Sequence, residues 1–247
     1  MSDNEFIIGR HAVLEALEAG REINKLWINK ESHGVKQLID KAGQKGVTIQ
    51  FVPRKKLDQL TNSSTHQGIV ASIAAYEYAD IDDLFQLAEK KNETPFFILL
   101  DGIEDPHNLG SILRTADSVG AHGVIIPKRR AAGLTQVVSK ASTGAIEYIP
   151  VARVTNLART IDELKERGIW FAGTAAEGSQ DYRKAEFDMP ICLVMGNEGK
   201  GLSRLVREKC DYLISIPMAG HVTSLNASVA AAILMYEVYR KRNKLED

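Results

Sequence analysis

The chain has 247 residues, room for one large domain or two modest ones, and its 44% hydrophobic and 26% charged residues make an ordinary globular mixture. A formal net charge of −1 excludes a generic polyanion binder, and no apolar run approaches the ~20 residues that span a bilayer. Cys192 and Cys210 have neither metal-ligand nor paired-thiol spacing, and residues 1–10 lack a basic region followed by an apolar core, so a reduced, cytoplasmic chain without a secretory leader is expected.

Charge is unevenly spread: +2 over residues 1–75, −4 over 76–94 and +1 over 95–247. This divides the chain into an N-terminal body, 1–76, an acidic linker helix, 77–94, and a C-terminal body, 95–247. The N-terminal body reads as a small α/β unit. Apolar spacing at Val13, Leu14 and Leu17 gives a helix over 11–19. A strand follows over 23–28, a helix over 35–42 ending near Gly43 and Gly46, and a strand over 47–52 stopped by Pro53. A polar loop over 61–67 leads to a last strand over 68–76. Asp80 can cap a helix over 81–91.

After Pro95 the strands are apolar on both sides, over 96–100, 124–126, 169–173, 191–195 and 212–216, with helices over 108–119, 156–167 and 203–210 between them. Continuous apolar strands alternating with helices mean a parallel sheet covered on both faces. Ligands bind such sheets beyond the C-terminal strand ends.

Three of those ends carry unusual residues. After the first strand, Asp105-Pro106 makes a good helix start. Leu109, Ile112, Leu113, Ala116 and Val119 then form a buried stripe, with Asn108, Ser111 and Arg114 off it at steps of three. The competing reading is a capped surface helix with a solvated arginine. The second end is Met195-Gly-Asn-Glu-Gly-Lys-Gly201, where glycine lets backbone approach a ligand closely. It is not a phosphate loop, because Leu202-Ser203 stands where Lys-Ser/Thr is needed, and Arg204 breaks the dinucleotide fingerprint. The third end, Ile216-Pro-Met-Ala-Gly-His-Val-Thr-Ser-Leu-Asn226, opens a helix near Ser224, a candidate N-cap. From Val229 to Val238 this helix is almost wholly apolar, which suggests burial nearly all round and packing on a second subunit. Gly-x-Ser-x-Gly is missing, and the six histidines do not pair at metal-ligand spacing, so no hydrolase elbow and no metal site are expected.

Together, in order, the three segments resemble the SpoU (TrmH) branch of the SPOUT RNA methyltransferases. Phe6-Ile-Ile-Gly-Arg-His-Ala-Val-Leu-Glu-Ala-Leu17 and His66-Gln-Gly68 look like that family's RNA-binding domain. Pro127-Lys-Arg-Arg130 and Arg153-Val-Thr-Asn-Leu-Ala-Arg159 are similar to the subgroup that methylates a guanosine ribose in 23S ribosomal RNA. The resemblance implies an α/β knot, a trefoil-knotted parallel sheet, behind a small L30e-like α/β domain. It implies a homodimer through the C-terminal helix and S-adenosylmethionine as cofactor. Gly196, Ile216 and Leu225 would be the main cofactor contacts, with Thr174, Asn197 and Met218 close by. Arg114 would be the central catalytic residue, with Asn108, Glu198, Ser224 and Asn226 orienting it, the ribose hydroxyl and the loops. The family role of a general base is awkward for a guanidinium, which hardly ever deprotonates. A grip on the phosphate beside the ribose, stabilising alkoxide charge, is the preferred role.

The N-terminal body has no aromatic platform of the RNA-recognition-motif kind. It is expected to hold folded RNA through Arg10, His11, His66 and Gln67, with Lys128, Arg129 and Arg130 on the catalytic body. For each basic residue the competing reading is a solvated surface charge. Three other functions stay open: a transfer-RNA methyltransferase of the same branch, an RNA-binding assembly factor without catalysis, and a nucleotide-dependent oxidoreductase.

Overall fold

The computed structural model describes residues 6–18, 20–61, 65–73, 76–176 and 178–243. Residue 19 of the expected first helix, 62–64 of the expected loop and 74–75 of the expected strand 68–76 lie outside the described residues. The chain divides into two compact units, one reaching to Glu77 and including Gly133–Val137, the other spanning Tyr78–Ala132 and continuing from Val138.

The first unit contains β1 (Phe6–Ile8), α1 (Arg10–Glu18), β2 (Ile23–Asn29), α2 (Lys36–Gln44), β3 (Thr48–Val52), α3 (Arg54–Thr61) and β4 (Ile69–Ile73). Its sheet runs β1-β4-β2-β3; β4 pairs antiparallel with β1 and β2, and β2 runs parallel to β3. Alternation along the strands gives each face its own core. Leu26, Ile28, Ile69 and Ala71 pack with Val13 and Leu17 of α1 and Leu38 of α2. Val52 and Val70 pack with Leu57 of α3. The sequence reading missed β1 and α3.

The second unit contains α4 (Ile81–Lys91), β5 (Phe96–Asp101), α5 (Pro106–Ser118), β6 (Gly123–Pro127), α6 (Gln136–Ser142), β7 (Val151–Val154) and α7 (Leu157–Glu166). It continues with β8 (Trp170–Thr174), β9 (Gln180–Asp181), β10 (Ile191–Gly196), α8 (Arg204–Lys209), β11 (Tyr212–Ser215) and α9 (Ala227–Arg242). Every pair in the sheet, β7-β6-β5-β10-β8-β11-β9, is parallel. One face buries Phe97, Leu99, Phe171, Cys192 and Val194 under Leu84 of α4, Ile161 and Leu164 of α7 and Val206 of α8. On the other face α5 packs against α9, and α9 reaches β10. Among the described residues no helix is long and apolar enough to cross a membrane.

One sequence expectation needs correction. The acidic segment 77–94 is not a linker. Its Leu84 is fully buried in the second unit's core, and Arg167 ties the helix down by donating to Asp82 at 2.7 Å and covering the Phe85 ring. Its acids are the outer face of a packed helix, as amphipathicity requires. Within the single chain the C-terminal helix is covered on one side, the part of its expected burial that its own core supplies. Ala231, Leu234, Met235 and Val238 face inward, while Val229, Tyr236 and Tyr239 are 48%, 52% and 43% exposed.

Topology places the site. From β5 the chain moves through α5 to β6 on one side, and from β10 through α8 to β11 on the other. β5 and β10 are neighbours, so the order reverses between them, and a crevice opens beyond their C-terminal ends.

Candidate active site

The last register pair across the switch point is Gly196 with Asp101. Beyond it the chain turns back tightly: Asn197 donates its amide to Gly201 at 3.1 Å, and Gly201 returns the bond at 2.8 Å. A Cβ on Gly196 would lie 2.4 Å from the Gly201 carbonyl carbon and 2.5 Å from the Leu202 nitrogen, so this position needs glycine for space. The Asn197 side chain locks the turn, donating to the Gly102 carbonyl at 3.1 Å and accepting from the Gly199 amide at 3.0 Å. Thr174, ending β8, donates its hydroxyl to the Val194 carbonyl at 3.0 Å.

A cavity of about 560 Å³ lies over these strand ends. Its wall includes Thr174, Gly196 and Asn197, and Ile216, Met218, Ser224 and Leu225 from the segment after β11. All six residues expected at the cofactor therefore line one space, and Ser224 and Glu198 share it. Its size falls within the ~300–1,000 Å³ typical of small-molecule pockets.

Beside the cavity, three separate segments meet at one carboxylate. Glu198 Oε1 accepts from Asn108 Nδ2 at 3.1 Å, Asn226 Nδ2 at 2.5 Å and the Ala227 amide at 3.0 Å. Asn226 Nδ2 also reaches Asn108 Oδ1 at 2.9 Å. Each local fold serves this junction. Asp105 caps α5 by accepting from the His107 amide at 2.9 Å, with Pro106 in the first turn, and this sets Asn108 facing the turn. Asn226, rather than Ser224, caps α9: its Oδ1 accepts from the Ser228 and Val229 amides at 3.0 and 3.3 Å. The carboxylate thus sits at the positive end of a 16-residue helix, where negative charge is favoured.

Arg114 stands almost two turns beyond Asn108 on α5, exposed, and is not among the residues lining the cavity. Lys128, Arg129 and Arg130 form the turn after β6, where Lys128 donates its amide to Val154 at 2.8 Å and Arg130 takes φ 57°. Arg10, His11 and Gln67 are exposed on the N-terminal unit. His66 is fully buried, with Nε2 2.9 Å from Asp58 Oδ1 and Nδ1 accepting from the Gly68 amide at 3.0 Å. This corrects the sequence expectation for that residue: both ring nitrogens are engaged inside the fold, so the ring posts α3 against β4 and presents no face to RNA.

Sequence reasoning missed Asp101. It is 6% exposed, and its Oδ2 accepts from the Ser203 amide at 2.7 Å, pinning the far end of the glycine turn to β5. The available signal was an acid closing a five-residue apolar strand.

Comparison with known proteins gives the family. Residues 95–236 match the SpoU rRNA Methylase family, and residues 6–79 match the RNA 2'-O ribose methyltransferase substrate binding family. The chain belongs to the SpoU methylase family. A TrmH family tRNA/rRNA methyltransferase of Bacillus subtilis (strain 168), YacO, is 63% identical over 97% of both chains. A TrmH family tRNA/rRNA methyltransferase of Staphylococcus aureus (strain MSSA476) is 55% identical over 98% of each. Among solved structures, the SpoU methyltransferase AviRb from Streptomyces viridochromogenes, in complex with AdoMet, aligns with TM-score 0.61 at 29% identity, covering 96% of this chain and 90% of that one. An AdoMet-bound rRNA methyltransferase from Sinorhizobium meliloti aligns with TM-score 0.58 at 28% identity, covering 95% and 86%.

Proposed function

We propose that this protein transfers a methyl group from S-adenosylmethionine to the 2′-hydroxyl of a guanosine ribose in 23S ribosomal RNA. The observation that carries the proposal is the junction of Asn108, Glu198 and Asn226 beside a cavity walled by all six expected cofactor residues. The wall suits a nucleoside cofactor: glycine backbone where a side chain would not fit, Thr174 and Asn197 as polar groups, and Ile216, Met218 and Leu225 as apolar ones. When bound, the cofactor supplies an electrophilic methyl on a sulfonium.

The chain's own residues would do the rest. A ribose hydroxyl is a poor nucleophile until its proton begins to leave, so the protein must orient the oxygen, let the proton pass to solvent water and stabilise the charge that develops. Arg114 would hold the adjacent phosphate and that developing charge with the planar fork of donors that a guanidinium presents. Asn108 and Asn226, fixed through Glu198, would orient the hydroxyl, and Ser224 lies on the same cavity wall. Lys128, Arg129 and Arg130 would meet the RNA backbone. The working molecule would be a homodimer with Val229, Tyr236 and Tyr239 of α9 covered. A trefoil knot around the segments after β10, next to the cofactor, would follow from the resemblance.

The relatives' names carry both tRNA and rRNA, and the structure of an A. aeolicus TrmH/SpoU tRNA modifying enzyme aligns at 30% identity. Transfer RNA is therefore the second reading. One experiment separates the two: labelled methyl transfer into 23S RNA and into total tRNA, with the modified ribose mapped. The expected product is a single 2′-O-methylguanosine in 23S RNA, with Arg114→Ala slower by about 100-fold or more, the scale of losing one transition-state donor. Label in tRNA alone would overturn the 23S assignment, and equal rates in both proteins would overturn the role of Arg114.

A further inference from the structure

One end of the N-terminal sheet gathers the ends of all four strands. β1 runs out through Gly9, whose amide donates to Ile69 at 2.9 Å, into Arg10 and His11. β2 ends at Asn29, bonded to Gly68 at 2.8 Å before β4, and Lys30 donates to Val52 at the end of β3 at 3.1 Å. Arg10 Nη1 donates to the Gly34 carbonyl at 3.3 Å, drawing the loop after β2 to the start of α1. α3 leaves the same rim directly after Pro53.

This rim is basic. Arg10, Lys30, Arg54, Lys55 and Lys56 are all exposed along it. Among the described residues, the acids close to them in sequence include Glu31, exposed, and Asp58, held by His66. Three cations and no acid open α3 at the end of a helix that repels positive charge, an arrangement that works against the helix's own stability. Local choices that oppose the fold mark functional surfaces. Phe51, 50% exposed, pairs with Ile28 and so lies on the α1–α2 face of the sheet, one residue before the end of β3 and across the sheet from α3. Cations along a ridge are the groups that hold phosphates.

We infer that Lys30, Lys55 and Lys56, with Arg54, form an RNA-contact surface on the N-terminal unit, continuous with Arg10 and His11. The inference rests on the RNA methyltransferase reading above and names the surface through which this unit would grip its substrate. Charge selects the ligand class, a nucleic-acid backbone, and an acidic protein is the alternative occupant.

The test compares wild type with the triple variant Lys30→Gln, Lys55→Gln, Lys56→Gln by filter binding of 23S RNA from about 50 to 200 mM salt, with S-adenosylmethionine titration as a control. Each lost phosphate contact flattens the salt dependence by roughly one power. The expected result is RNA affinity down about tenfold or more, a slope shallower by about two to three, and cofactor affinity unchanged. The triple Lys→Arg variant should restore both affinity and slope. A wild type that binds RNA and a Gln variant that matches it in affinity and slope would overturn this surface alone, and would leave an acidic protein as its occupant. A wild type that binds no RNA at any salt would overturn both the surface and the function it rests on.

Discussion

Gly196 shows how little freedom the site leaves a single residue. The atoms a Cβ would meet there belong to backbone of the returning turn, which cannot rotate aside as a side chain could. Gly196→Ala is therefore expected to lose about 1–3 kcal/mol of stability by overpacking and to weaken S-adenosylmethionine binding by tenfold or more, read by calorimetric titration. Unchanged affinity would mean that the turn is not the cofactor's wall. His122 makes a second case, distant from the site. It is buried, its Nδ1 accepts from the Phe96 amide at 3.1 Å, and its Nε2 therefore carries the proton and donates to Glu93 at 2.9 Å. Burial holds its pKa below the ordinary 6.5, with Lys91 and Arg242 adding to the shift and Glu93 opposing it. As pH falls through 6.5 the unfolded chain takes up a proton that the folded chain resists. This contribution to stability is thus full above about pH 6.5 and lost toward the lower folded value. Thermal melts from pH 8 to 5 should show a steeper fall for wild type than for His122→Gln, and parallel curves would contradict it. The segments carrying Asn108, Glu198 and Asn226 were legible because each follows a buried strand, while the roles expected of the three residues came from the family resemblance. Asp101 was not, because its partner, the Ser203 amide, is 102 residues away and leaves no trace in local spacing.

At the scale of elements, α9 carries the clearest consequence. A sequence almost uniformly apolar cannot say which side faces its own core, since ring and aliphatic positions look alike in periodicity. The fold separates them. Ala231, Leu234, Met235 and Val238 are covered, while Val229, Tyr236 and Tyr239 form an open stripe on which the two tyrosine rings touch edge to face at 6.1 Å. An exposed apolar stripe at helical spacing fits a self-complementary interface. Tyr236→Lys is expected to convert a dimer to a monomer in light scattering with secondary structure retained, and a wild-type monomer at micromolar concentration would contradict the interface. The elements missed from sequence are α3, α6, β1, β7 and β9, and their physical causes differ. α3 offers only Leu57 and Leu60 to the core among polar residues, so its apolar period is too thin to read. β1 and β7, three and four residues long, are defined by partners distant in the chain rather than by a run of their own.

The molecule as a whole is two units with different legibility. The parallel sheet followed from continuous apolar strands, because burial on both faces leaves no alternation. Its strand order did not, since which of several equivalent apolar strands are neighbours depends on crossovers that hydropathy does not encode. The central claim is that the β5–β10 switch point holds the methyl donor against the Asn108–Glu198–Asn226 junction. A crystal structure with S-adenosylmethionine tests it most directly. The donor is expected inside the cavity walled by Thr174, Gly196, Ile216 and Leu225, its methyl toward that junction; a donor seated elsewhere, or an empty cavity at saturating cofactor, would contradict this.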